Sequence, residues 1–245
     1  LYEEFRNRHL ANSTARAEAF RAYQVRGGHR LWQHAVYEAL SEHLHAKDPH
    51  LWGWPVWPEA YRDPDGAAVL AFAQEKHARV EFFQYLQWVA QEQFAGAGRR
   101  SLDLGLKVGL YEDLAIGVDI GGLDTWLDQS LYALDARIGA PADDFNPEGQ
   151  EWGLPPMIPH RLRATGYQPF IEVLRANMQH GGVLRIDHVM GLMRLFWVPS
   201  GEKPTHGAYV RYALSDLLAV LALESQRNHC MVVGEDLGTV DDRVR

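Results

Sequence analysis

The sequence predicts an α/β protein in which a mainly helical N-terminal part precedes a parallel sheet built from βα units. Two observations carry that expectation. Beyond residue 100, short β-branched apolar runs alternate with segments of helical period, as strands joined by crossover helices do. Before it, apolar residues recur at three- and four-residue spacing without such runs. Size agrees: 245 residues, 47% hydrophobic and 23% charged, bury enough core for one large or two small domains with no disulfide or metal staple. The expected division is a helical region over 1–100 and a sheet region over 101–245.

Residues 14–23 and 30–45 read as helices, the second carrying Leu31, Ala35, Val36, Ala39, Leu40 and Leu44, with Gly27-Gly28 separating the two. Residues 50–58 form a loop, because Pro55 and Pro58 exclude regular helix. One long helix is expected over 67–94, with Leu70, Phe72, Ala73, Val80, Phe83, Leu86 and Val89 on its faces and Gly96-Ala97-Gly98 ending it. Residues 106–111, 182–186 and 230–234 read as parallel strands, the last β-branched and apolar enough to be buried on both faces. Residues 116–118 and 196–198 are further candidates for the same sheet, and 167–179 and 207–226 read as helices between strands.

Composition excludes several functions. Lys and Arg number 24 against 32 Asp and Glu, a formal charge of −8 without a basic run, which argues against a nucleic-acid partner. No run approaches the roughly 18 apolar residues of a membrane-spanning helix. The single cysteine, Cys230, rules out an intrachain disulfide and points to the cytoplasm. The first residues show neither an initiator methionine nor a signal peptide, and the last show no closing element, so the sequence is expected to be an internal piece of a longer protein. Eight Trp and ten Tyr suit a sugar, whose C–H face packs on a π-surface, and equally suit an aromatic core.

Each expected strand runs into acid: Leu110-Tyr111-Glu112-Asp113, Arg185-Ile186-Asp187-His188 and Val233-Gly234-Glu235-Asp236. In a parallel barrel the C-terminal strand ends carry the active site. Paired carboxylates there suit glycoside chemistry, one attacking the anomeric carbon while the other protonates the leaving oxygen. Arg185 and Asp187 share a strand face at i and i+2, so the guanidinium can hold Asp187 ionised as nucleophile. Glu235 follows Gly234 on an apolar strand, where partial burial would favour a proton donor. Plainer readings stand beside these: an Asp at a strand end can cap a turn, Arg185 and Asp187 can form a simple ion pair, and His188 can be a hydrogen-bonded core histidine. A metal site at Asp187, His188 and Glu235 lacks a second histidine near a strand end.

These stretches resemble the amylomaltase family, 4-alpha-glucanotransferases related to the alpha-amylase clan. The most specific is Gly139-Ala140-Pro141-Ala142-Asp143-Asp144-Phe145-Asn146-Pro147-Glu148-Gly149-Gln150-Glu151-Trp152-Gly153-Leu154-Pro155-Pro156, which looks like that family's signature loop. Leu184-Arg185-Ile186-Asp187-His188-Val189-Met190-Gly191-Leu192 is similar to the clan's nucleophile motif, and Val233-Gly234-Glu235-Asp236-Leu237-Gly238 to its acid/base motif. Gly109-Leu110-Tyr111-Glu112-Asp113-Leu114-Ala115-Ile116-Gly117-Val118 is similar to the first shared motif, and Trp57-Pro58-Glu59 and Tyr61-Arg62-Asp63-Pro64 resemble the helical insert before it. Each motif alone is short, and together they occur in the family's order.

The resemblance implies a partial TIM (β/α)8 barrel with a mainly helical insert subdomain in its N-terminal part: 1–100 the insert, 101–245 the central barrel with the signature loop 139–156. It implies transfer of alpha-1,4-glucan segments between maltooligosaccharides with retention, Asp187 the nucleophile and Glu235 the general acid/base. Arg185 would orient Asp187, His188 would bond a sugar hydroxyl, and Asp113 would shape the base of the sugar pocket or simply hold a turn. Trp152 would line the cleft or anchor its loop. No cofactor is implied, since the carboxylates supply the chemistry, and the only partner implied is an alpha-glucan. An alpha-glucan hydrolase and a non-catalytic glucan-binding protein are the alternatives. Two departures stand out. Ala142 replaces a proline of the signature loop. Nothing matches the clan's third carboxylate, which the resemblance places beyond Arg245, so the 245-residue chain alone is expected to be inactive.

Overall fold

The computed structural model describes residues 1–237. Gly238 of the Val233–Gly238 motif and the residues after it lie outside the described residues. The chain divides into two compact units, Leu1–Ala95 with Gly121–Leu127, and Gly96–Ile120 with Asp128–Arg245.

The first unit is helical: α1 (Tyr2–Arg8), α2 (Ala15–Lys47), α3 (Ala67–Glu75), most of α4 (His77–Asp103) and α5 (Leu123–Leu127). Thr14 caps α2, its side chain accepting from Ala17 N. Gly28, at φ 52°, kinks that helix. The expected separation at Gly27-Gly28 is therefore a one-residue break within a continuous helical run. Leu31, Ala35, Val36, Ala39, Leu40 and Leu44 are all buried. Phe5, Phe20 and Trp88 form a second cluster with Tyr2, Tyr85 and Val89 against it.

The loop over 50–58 holds α5 to this unit. Trp54 Nε1 donates to Thr125 Oγ1 at 2.9 Å, Trp126 Nε1 donates to the Tyr61 carbonyl at 3.0 Å, and the Tyr37 hydroxyl donates to the Gly121 carbonyl. Trp54, Trp57, Trp88 and Trp126 are all buried. Half of the eight tryptophans thus serve packing, so tryptophan content is not by itself a sugar-binding signal here.

The single helix expected over 67–94 is interrupted at Lys76, and α4 continues past Gly96-Ala97-Gly98 to Asp103. Gly98 serves close approach rather than termination: a Cβ there would stand 2.8 Å from the His180 carbonyl oxygen.

The second unit holds two sheets. Strands β1 (Tyr111–Leu114), β4 (Val183–Ile186) and β7 (Met231–Gly234) form a parallel sheet in the order β1-β4-β7. Strands β2 (Ala136–Ala140), β3 (Gln150–Glu151), β5 (Arg194–Pro199) and β6 (Ala208–Arg211) form an antiparallel sheet in the order β3-β2-β5-β6. The helices are α6 (Pro159–Ala164), α7 (Gln168–Met178) and α8 (Leu214–Asn228). Leu184 and Ile186 turn to one face of β4 and join Leu174, Met178, Leu217, Leu221 and Cys230 in the core. Glu224, almost fully buried on α8, is gripped by Arg175 of α7 at 2.8 and 2.9 Å and by Arg227 at 2.7 Å.

Four strand expectations are corrected. The first strand begins at Tyr111 rather than Leu106, because 101–109 closes two turns, Leu106 N to Ser101 O and Gly109 N to Leu106 O, with Gly105 and Gly109 at positive φ. Glu112 and Asp113 therefore lie within β1, not at its end. Residues 116–118 form no strand, and 196–198 belong to β5 of the antiparallel sheet. Among the described residues strand β7 lies at the edge of the sheet with Met231 and Val233 exposed, rather than buried on both faces. The helix expected over 207–226 starts at Leu214, because Ala208–Arg211 pairs with β5 instead. Among the described residues no helix is long and apolar enough to cross a membrane.

Candidate active site

Strand alternation builds the site. On β4, Leu184 and Ile186 face the core, so Arg185 and the following Asp187 emerge on the opposite face. The register pairs Asp113 of β1 with Arg185, and Ile186 with Gly234 of β7, which sets Asp187 and Glu235 level on neighbouring strands. Neighbouring strands are about 4.8 Å apart. The backbone continues this pairing past the last ladder residues: Glu235 N donates to Ile186 O at 2.9 Å, and Asp187 N donates to Leu114 O at 3.0 Å.

One guanidinium holds two carboxylates. Arg185 donates through Nη1 to Asp113 Oδ1 at 2.6 Å and through Nη2 to Asp187 Oδ1 at 2.8 Å. Asp113 first, then Asp187, raises the basicity of Arg185, while burial opposes them. The structure thus brings Asp113 to Arg185 rather than leaving it at a strand end.

Glu235 Oε2 accepts from His188 N at 2.9 Å, and Oε1 accepts from Leu237 N at 3.0 Å. Gly234 makes this approach possible, since a Cβ there would come within 2.7 Å of the Val189 side chain. His188 turns the chain off β4 in the left-handed region, φ 49° and ψ 61°, an uncommon conformation for a residue other than glycine. Its ring meets Trp152 edge-on, centroids 5.6 Å apart. Burial lowers the His188 pKa, against the opposing pull of Glu235 and Asp187.

The 139–156 stretch positions Trp152. Its backbone N donates to Ile138 O at 2.9 Å, and its indole N–H donates to Gln150 Oε1 at 3.1 Å. Gly139 is required where β2 and β3 meet, because a Cβ would stand 2.1 Å from the Gln150 carbonyl oxygen. Asp143 closes the loop tip by accepting from the backbone N of Phe145 and of Asn146, at 2.8 and 2.6 Å. The contacts of Gln150 and Gly234 arise only when distant backbone segments meet, so no local pattern announces them.

A cavity of about 190 Å³ includes Asp187 and His188 in its wall, with Leu114, Tyr132, Met157 and Phe170 among the rest. Its walls are overwhelmingly apolar and offer a hydroxyl-rich sugar few partners. The face carrying Asp113, Arg185, Asp187 and Glu235 is the polar one. Two carboxylates level on adjacent strands, one of them bound to a guanidinium, can divide nucleophile and proton-donor roles.

Comparison with known proteins agrees with this reading of the fold. A family model described as 4-alpha-glucanotransferase matches residues 1–245. A 4-alpha-glucanotransferase of Haemophilus influenzae is 41% identical over 248 residues, covering 100% of this chain and 36% of that protein. One from Mycobacterium bovis is 41% identical over 236 residues, covering 96% and 32%. The chain thus spans about a third of the length of these relatives. Among solved structures, an amylomaltase from Corynebacterium glutamicum superposes with a TM-score of 0.77 at 35% identity, covering 94% of this chain and 30% of that one. The fold of an amylomaltase from Streptococcus agalactiae, in complex with acarbose, matches with a TM-score of 0.81 at 20% identity, covering 94% and 46%. With its full length matched by the family model and its α/β fold shared with these structures, the chain belongs to the 4-alpha-glucanotransferase family.

Proposed function

We propose that this chain carries the nucleophile and the acid/base of a retaining 4-alpha-glucanotransferase, and that β1, β4 and β7 are strands of a (β/α)8 barrel with the helical first unit as an insert. The observation that supports it best is the level placement of Asp187 and Glu235 on adjacent parallel strands. A retaining pair needs its carboxyl groups about 5–5.5 Å apart, and carboxylates carried level on neighbouring strands are placed for such a short separation.

In the first half-reaction, Asp187 forms a bond to the anomeric carbon as the glycosidic C–O bond breaks, and Glu235 gives its proton to the departing oxygen. In the second, ionised Glu235 takes the proton of an acceptor hydroxyl, whose oxygen attacks the same carbon and releases Asp187. Arg185 keeps Asp187 oriented throughout. His188 and Trp152 offer the sugar a hydrogen-bonding edge and an apolar surface. The substrate class is an alpha-glucan, and the one cysteine, Cys230, fits a cytoplasmic setting.

The test is incubation of the full-length protein carrying this sequence with maltotriose. A ladder of longer and shorter glucans supports transfer. Glucose and maltose alone would assign hydrolysis instead, and absence of any turnover would leave only glucan binding.

A further inference from the structure

We propose that Asp113 is a positioning residue for the nucleophile, locking the Arg185 guanidinium so that its second arm presents Asp187 for attack. The inference rests on the reading of Asp187 as nucleophile and moves Asp113 from the sugar pocket to the support of that residue.

The geometry carries it. Asp113 and Arg185 are register partners on β1 and β4, so the two backbones fix where their side chains start and place both on one face. The two carboxylates take different nitrogens of one planar group, Nη1 at 2.6 Å and Nη2 at 2.8 Å. A guanidinium anchored only by Asp187 could swing with it. Anchored also by Asp113, its plane is set, and through it the torsion of the Asp187 carboxylate. Arg185 occupies Oδ1 of Asp187, and Oδ2 carries no hydrogen bond among the described residues. One oxygen is held and the other left to react, as a single-oxygen attack on the anomeric carbon requires. Asp113 also makes the shorter of the two contacts with Arg185.

The roles separate kinetically. If Asp113 bound the sugar directly, its replacement would raise KM. An exposed ion pair that only adds stability would leave kcat nearly unchanged in the folded enzyme. A nucleophile allowed to drift by about 1 Å loses on the order of 10²-fold in the chemical step.

The experiment uses the full-length protein carrying this sequence, with alpha-maltosyl fluoride as donor, so that attack by Asp187 is read without help from the acid. The isosteric Asp113→Asn is expected to lower kcat by about 10–100-fold with KM within about threefold, at an unchanged far-UV CD spectrum. In an Arg185→Lys background, where no fork remains, adding Asp113→Asn should cost less than about twofold more, because the coupling runs through Arg185. Three results would each overturn the inference: a raised KM at constant kcat, full additivity with Arg185→Lys, or loss of activity that follows loss of folded protein. Asp187→Ala run in parallel keeps the underlying reading separate. If it retains wild-type turnover, the nucleophile assignment fails. If it is inactive while Asp113→Asn is normal, only the role of Asp113 fails.

Discussion

Replacing Glu235 by Gln tests the acid role most sharply, because the structure bounds the side effects of the change. The two Glu235 oxygens accept from His188 N at 2.9 Å and Leu237 N at 3.0 Å. A glutamine offers one acceptor oxygen, so its amide NH2 must face one of these N–H groups. The missing hydrogen bond costs about 1–2 kcal/mol. If that whole cost fell on the transition state it would be about 5–30-fold in rate. Loss of a general acid costs about 10²–10⁴-fold, or about 2.7–5.5 kcal/mol, on a donor whose leaving oxygen needs a proton. Fluoride leaves without one. Transfer from maltotriose should therefore fall by about 10²–10⁴-fold or more, while the first release of fluoride from alpha-maltosyl fluoride, a step that precedes any need for Glu235 as base, slows by no more than about 30-fold when read in a single turnover. Equal losses on the two donors would refute the acid assignment and reduce Glu235 to a structural acceptor for the turn after β4.

Asp187→Ala should abolish the covalent glycosyl-enzyme that mass spectrometry would trap from the fluoride donor; an adduct that persists would place the nucleophile elsewhere. Arg175→Ala should destabilise by about 2–4 kcal/mol in urea unfolding, more than Glu224→Gln, because it strands a buried carboxylate on Arg227 alone. Arg175 and then Arg227 hold Glu224 below its ordinary 4.5, so its contribution is complete above that value and is lost as pH falls through the depressed folded value; unfolding curves against pH should show the Arg175→Ala penalty shrinking below pH 4.5. The His188 ring should titrate by NMR with a midpoint below 6.5, since burial outweighs its two acidic neighbours. Gly139→Ala should cost about 1–3 kcal/mol and alter Trp152 fluorescence, as the new Cβ pushes the Gln150 carbonyl off β2.

What the sequence revealed followed from local pattern. Val183–Ile186 and Met231–Gly234 were legible because consecutive β-branched and apolar residues have few other uses. The Arg185–Asp187 contact was legible because i and i+2 share a face on any strand. The start of β1 is hidden in the sequence because Leu106, Val108 and Leu110 imitate strand alternation, while the positive φ of Gly105 and Gly109 turns that segment back on itself. The antiparallel sheet leaves little local signal for a different reason. Strand β3 is two residues long, β2 contains a glycine, and β6 has a composition that also suits the start of a helix. Their identity as strands comes from pairing with Arg194–Pro199, which no local window contains. The Asp113–Arg185 bond was likewise invisible, since it depends on a register between segments 72 positions apart.

That register links packing to chemistry. The residues that seal the core of β4, Leu184 and Ile186, alternate with those that carry charge, Arg185 and Asp187, so neither set can slip without the other. A one-residue slip would bury the guanidinium and expose two aliphatic side chains, a cost of several kcal/mol from burial alone. The hydrophobic core therefore fixes the height at which Asp187 leaves the sheet, and the same core, through Val232 on β7, fixes the height of Glu235. Catalytic groups set this way on strand ends are held more tightly than groups on loops. Only the turn at His188 departs from this pattern. Its left-handed backbone is the point at which the strand must end so that His188 N can reach Glu235, and a residue there is tied to the site by its main chain as firmly as by its ring.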